Sequence, residues 1–122
     1  MDDRLPAALE VAALRRRVES NGGFAAILHK GDPDRGALLL LIAEKGRHFC
    51  CLERLLDLDK GYIWQKSGPK ENAESAEISD FVANRRKTDP DLWTIELDIA
   101  DGERFVVATI MDNTTDELRR LI

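Results

Sequence analysis

Leu38-Leu39-Leu40-Leu41-Ile42 is apolar at every position, with Ala37 before it, Ala43 after it, and Gly36 and the turn Glu44-Lys45-Gly46-Arg47 outside those. Successive side chains of a strand point to opposite faces of its sheet. A strand with one face in water therefore alternates apolar and polar residues. This one does not, and neither does Phe24 to Leu28 or Phe49 to Leu52. Both faces of the sheet must be covered. Helices on the two faces would do this and give three layers; alternatively, a second subunit covers one of them.

The rest of the chain supplies the other elements. Leu5 to Ser20 has helical spacing, with Leu5, Leu9, Leu14 and Val18 near one stripe, arginines at the C-terminal end and Asn21-Gly22-Gly23 as a stop. Strands are predicted over Phe24 to His29, Ala37 to Glu44, His48 to Leu55 and Tyr62 to Lys66. Their short glycine-containing connections, including the first one from Lys30 to Gly36, mark antiparallel hairpins. Ala73 to Lys87 reads as a second helix, with Glu71, Glu74 and Glu77 early and Arg85-Arg86-Lys87 late, as the helix dipole favours. Asp89-Pro90 stops it, and Leu92 to Leu97 is a fifth strand. In the tail, Asp101 as N-cap favours a helix, while the β-branched content of Phe105 to Ile110 is that of a strand; Thr114 or Thr115 would cap a last short helix through Leu121. The fold class is α+β: a mainly antiparallel sheet of about five strands with helices on both faces, in the order α-β-β-β-β-α-β-α.

A chain of 122 residues is expected to be one domain, 1–122. With 43% apolar and 34% charged residues it has the composition of a folded protein. The net charge of −5, from 23 acidic and 18 basic side chains, argues against a dedicated nucleic-acid binder, which shows a basic excess or a basic face. The apolar stretch Ala37 to Ala43 is too short to span a bilayer, and the start Met1-Asp2-Asp3-Arg4 is not that of a signal peptide. The two cysteines, Cys50 and Cys51, are adjacent, so in a strand they point to opposite faces and a bridge between them is sterically disfavoured. Two unpaired thiols fit a reducing compartment, and a cytoplasmic location is expected.

No group of residues has the types and spacing that a known chemistry requires. The loop Gly31-Asp32-Pro33-Asp34-Arg35-Gly36 begins like a calcium loop but lacks the later ligands, and it lacks the lysine of a phosphate-binding loop. Turn-forming residues in a hairpin connection are the better account of it. Asp89-Pro90-Asp91 is a similar case. His29 and His48 fall at strand ends, no Cys or His pair has zinc spacing, and neither cysteine has an adjacent base, so no metal, cofactor or thiol site is expected. Glu53 and Arg54 are charges inside an apolar strand, where an unpaired charge is costly, so each needs a partner. Asp34 or Asp91 is a candidate for Arg54. If there is a local binding site, it is expected on the surface joining Asp32, Asp34 and Arg35, Glu53 and Arg54, and Asp89 and Asp91; the competing account is a salt-bridged cluster that fixes the loops.

The element order resembles the core of restriction-endonuclease-like nucleases. Those hold magnesium with an acidic residue on the second strand and Glu-x-Lys on the third. Here the third strand offers Glu53-Arg54-Leu55, and Glu44-Lys45 lacks the spacer, so the pattern fails where the chemistry would sit. More of the chain is similar to a small alphaproteobacterial family of unknown function. The matching pieces are Leu14-Arg15-Arg16, Gly22-Gly23-Phe24, Lys30 to Gly36, Cys51-Leu52-Glu53-Arg54, and Asp89-Pro90-Asp91-Leu92-Trp93 followed by Ile95-Glu96-Leu97. That resemblance implies a stand-alone domain of about this length and brings no activity, cofactor or catalytic residue with it. The expectation is a non-enzymatic cytoplasmic module that engages another protein through its polar loops or an open sheet edge, with a nuclease-like enzyme as the alternative.

Overall fold

The computed structural model describes residues 5–59 and 61–106, in the order α1 (Ala7–Ser20), β1 (Phe24–His29), β2 (Leu38–Glu44), β3 (Arg47–Asp57), β4 (Gly61–Ser67), α2 (Ser75–Thr88) and β5 (Trp93–Asp98). Residues 102–106 are helical, so the tail follows the helical expectation as far as it is described; positions 107–111 and the expected helix ending at Leu121 lie outside the described residues.

The five strands form one sheet in the order β1-β5-β2-β3-β4. Two expectations need correction. The sheet is mixed, not mainly antiparallel, because β2 and β5 run parallel while the other neighbouring pairs are antiparallel. Parallel neighbours need a long crossover, and β3, β4 and α2 together provide it. Nor do β1 and β2 form a hairpin: β5 lies between them and pairs with both. The hairpins β2–β3 and β3–β4 are as expected. The first turns at Lys45 and Gly46, both at positive φ (55° and 79°), the geometry of a tight primed turn. The carboxylate of Asp98, at the end of β5, accepts both of their backbone N–H groups at 2.8 and 2.7 Å, which ties the turn to the neighbouring strand.

The unbroken apolar run of β2 is explained by its place. Leu38, Leu40 and Ile42 lie in a core with Ala7, Val11, Leu14 and Val18 of α1. Leu39 and Leu41 lie in a second core with Cys51, Leu92 and Val82 of α2. One helix thus flanks each face. Cys50 belongs to the first core and Cys51 to the second, as adjacent strand residues must.

Candidate binding surface

The polar loops turn out to be joined to each other by their backbones. Asp32 N–H donates to the carbonyl of Asp91 at 3.0 Å, and the indole N–H of Trp93 donates to the carbonyl of Asp32 at 2.7 Å. Asp32 Oδ1 accepts the N–H groups of Asp34 and Arg35, both at 2.8 Å, and Asp89 Oδ1 accepts that of Asp91 at 3.1 Å. The carbonyls of Pro33 and Asp34 accept from Ala8 and Ala7, satisfying two otherwise orphaned donors in the first turn of α1. Gly31 sits so close that a Cβ there would lie 2.0 Å from the Asp91 carbonyl oxygen, which only glycine allows. The side chains of Asp34 and Arg35 are exposed.

The bonds from Arg35 and Asp34 hold the Asp32 carboxyl below its usual pKa of 3.8. A carboxyl depressed in the folded state contributes stability above its unfolded pKa and loses it as pH falls through the folded value. Asp32→Asn is therefore expected to flatten part of the acid limb of the melting temperature below about pH 4. Parallel limbs for parent and variant would show that the turn carries no such linkage.

Glu53 and Arg54, side by side on β3, point to opposite faces, and each fastens one helix. Glu53 accepts a hydrogen bond from Arg85 of α2. Arg54 makes a two-pronged pair with Glu10 of α1, its Nη2 lying 2.9 Å from Oε1, and its guanidinium also lies over the Trp64 ring at 5.6 Å. The sequence called for a partner for each charge; that of Arg54 is Glu10 in place of the expected Asp34 or Asp91, and both partners are on helices.

The buried thiols are poor nucleophiles. Burial pushes Cys50 up to about 11, with help from Glu103, and pushes Cys51 up to about 12, with help from Cys50 and Glu53. Thiolate is the reactive form. The folded protein is expected to react with a thiol reagent at pH 8 only as it unfolds, and to show two thiols in denaturant. Fast labelling of the native state would show that the strand ends open. Among the described residues, no three His, Cys, Asp or Glu side chains converge as a metal site requires, so the geometry lends the nuclease alternative no support. No helix among them is long and apolar enough to cross a membrane.

What remains open is one part of the second face. A single row across the sheet, Cys51, Leu41, Glu96 and Ala26, runs from β3 to β1. Its first two members are buried under α2 and its last two are exposed. On β1 the same face carries Phe24, 79% exposed, and Leu28, 43% exposed. Ala25 and Ile27, by contrast, pack into the first core. Where α2 leaves the sheet there is a groove of about 490 Å³ whose lining includes Leu28, His29, Leu41, Glu96 and Arg86. Nδ1 of His29, one of the lining residues, is buried without a hydrogen-bond partner among the described residues, and so is Oγ1 of Thr94, its neighbour in the β1–β5 register. The sequence marked β1 as apolar at both parities and allowed that a second subunit covers one face of the sheet, but it did not show that β1 would be the strand left bare among the described residues.

The sequence model of a family described as "Protein of unknown function (DUF1491)" matches residues 5–107. A DUF1491 family protein from Caulobacter crescentus has a crystal structure similar to this fold, with TM-score 0.68 and 26% identity over 79% of this chain and 89% of that one. The solution structure of protein Atu0922 from A. tumefaciens is also similar, with TM-score 0.66 and 28% identity over 79% of this chain and 86% of that one. Comparison with curated proteins gives no match.

Proposed function

The chain belongs to the DUF1491 family, a family of unknown function, and from its own geometry we propose that it is a non-enzymatic, cytoplasmic bacterial module that binds or assembles with another polypeptide. The observation that carries this is the bare side of β1. Phe24 and Leu28 stand exposed on an edge strand whose six residues include no charged side chain and no proline. Natural sheets protect their edges with charges, prolines or bulges, because an open edge pairs with other chains. Here the protection is one bulge between Ile27 and His29. Exposed apolar groups on one strand, continuous with a groove, are what a protein contact uses.

The polar loops support a different role: Asp32, Asp89 and Asp91 bond to the backbones of the two loops, and the carbonyls of Pro33 and Asp34 bond to the start of α1. Two buried, unbridged cysteines fit the cytoplasm.

The test is affinity capture from the native cytoplasm with the parent and with Phe24→Glu. Substitution at an exposed site should shift stability by no more than about 0.5 kcal/mol. The expected result is loss of the captured polypeptides at an unchanged melting temperature. An unchanged set of captured polypeptides would overturn this reading.

A further inference from the structure

Resting on that reading of β1, we infer that its partner is a second copy of this chain, added edge to edge so that the two sheets continue through an antiparallel β1–β1 pair centred on Ala26. The strand's pattern is what selects this partner. A two-fold axis at Ala26 places Phe24 opposite Leu28 of the partner subunit and Ala25 opposite Ile27 of the partner subunit. Both members of each pair then lie on the same side of the joined sheet, because they are an even number of residues apart.

On the face that α2 leaves bare, the two exposed large residues of one copy thus meet those of the other, on either side of a small Ala26–Ala26 contact. Ala26 is itself exposed, which leaves room for that approach. Phe24 of the partner subunit comes to rest beside Leu28, at the mouth of the groove that Leu28 lines. A two-fold contact must be self-complementary, and closed two-fold dimers are the commonest assemblies of identical chains. The sequence points the same way: β1 is apolar at both parities, the mark of a strand covered on both faces, yet among the described residues it is the face toward α1 that is covered. The opposite edge of the sheet contrasts with it, since β4 carries Gln65 and Lys66. The described chain ends at Val106, buried in the core on the α1 side, away from Phe24 and Leu28.

The experiment is light scattering on the purified full chain across a dilution series, together with cross-linking. The parent is expected at twice the chain mass, and Phe24→Glu and Leu28→Lys each at the mass of one chain with melting temperature unchanged. Two copies of residue 26 on the axis have Cβ atoms about 5 Å apart. Ala26→Cys should therefore be joined by a short bis-maleimide much faster than Leu58→Cys, which lies 95% exposed between β3 and β4. A parent that is monomeric throughout overturns the inference, whatever else covers the strand. So does a dimer in which Leu58→Cys cross-links as readily as Ala26→Cys. If the parent is monomeric but Phe24→Glu still loses captured polypeptides, the binding reading stands and its partner is another protein. If it is monomeric and capture is unchanged, both fall.

Discussion

Replacing Leu40 by alanine is expected to destabilise the protein by about 2–5 kcal/mol, the range for leucine truncations in a close-packed core. Leu40 is fully buried, and so are the residues beside it in one row across the sheet: Leu52 on β3 and Ile95 on β5, with Ile27 of β1 beyond. Strands hold that row on both sides and α1 packs above it, so the gap left by the missing methyls has few ways to collapse. In a domain of this size each kcal/mol shifts the melting temperature by roughly 4 °C, so thermal unfolding followed by circular dichroism reads the effect directly. Leu39→Ala makes the same test on the other face, where Leu39 is also fully buried. If either variant melted at the parent's temperature, that face could not be a packed core.

Arg54→Ala is expected to cost about 3–5 kcal/mol, because it leaves the carboxylate of Glu10 without its guanidinium in a place water hardly reaches. The side chains of Arg54 and Glu10 are only 5% and 11% exposed. An exposed pair would be worth a fraction of this, since solvent screens it. Replacing both by leucine should recover much of the loss, since an apolar pair has no desolvation penalty to offset. Denaturant unfolding of Arg54→Leu, Glu10→Leu and the double variant gives the coupling energy. A loss from Arg54→Ala within about 0.5 kcal/mol, the size of a surface change, would mean that the pair does not hold α1 to β3.

A good deal of this was written into single segments. The helix spans, the strand spans and the two-sided burial of β2 follow from periodicity, because the period of apolar residues is set by backbone geometry. Cys50 and Cys51 belong to opposite cores for the same local reason. The charges of Glu53 and Arg54 announced that partners exist, since burying either alone is unfavourable. They did not announce which: Glu10 lies 44 positions away from Arg54 and Arg85 lies 32 away from Glu53. The polar loops allowed two readings because turn-forming residues and ligand-forming residues are the same types; the hydrogen bonds inside the loops, which give them a structural use, are visible only in the fold.

By itself, then, the sequence determined which stretches are helices and strands, which strand faces are apolar, and that both charges on β3 must be paired. Strand order, the parallel β2–β5 pair and the bare side of β1 were decided by the tertiary structure alone. Periodicity describes a strand's own two faces, whereas its neighbours are chosen by competition among all strands for the most buried places. Trp93, Thr94, Ile95 and Leu97 are buried and make β5 a better neighbour for β2 than β1 is. That displaces β1 to the edge, where α1 covers one of its faces and nothing described in the chain covers Phe24 and Leu28 on the other.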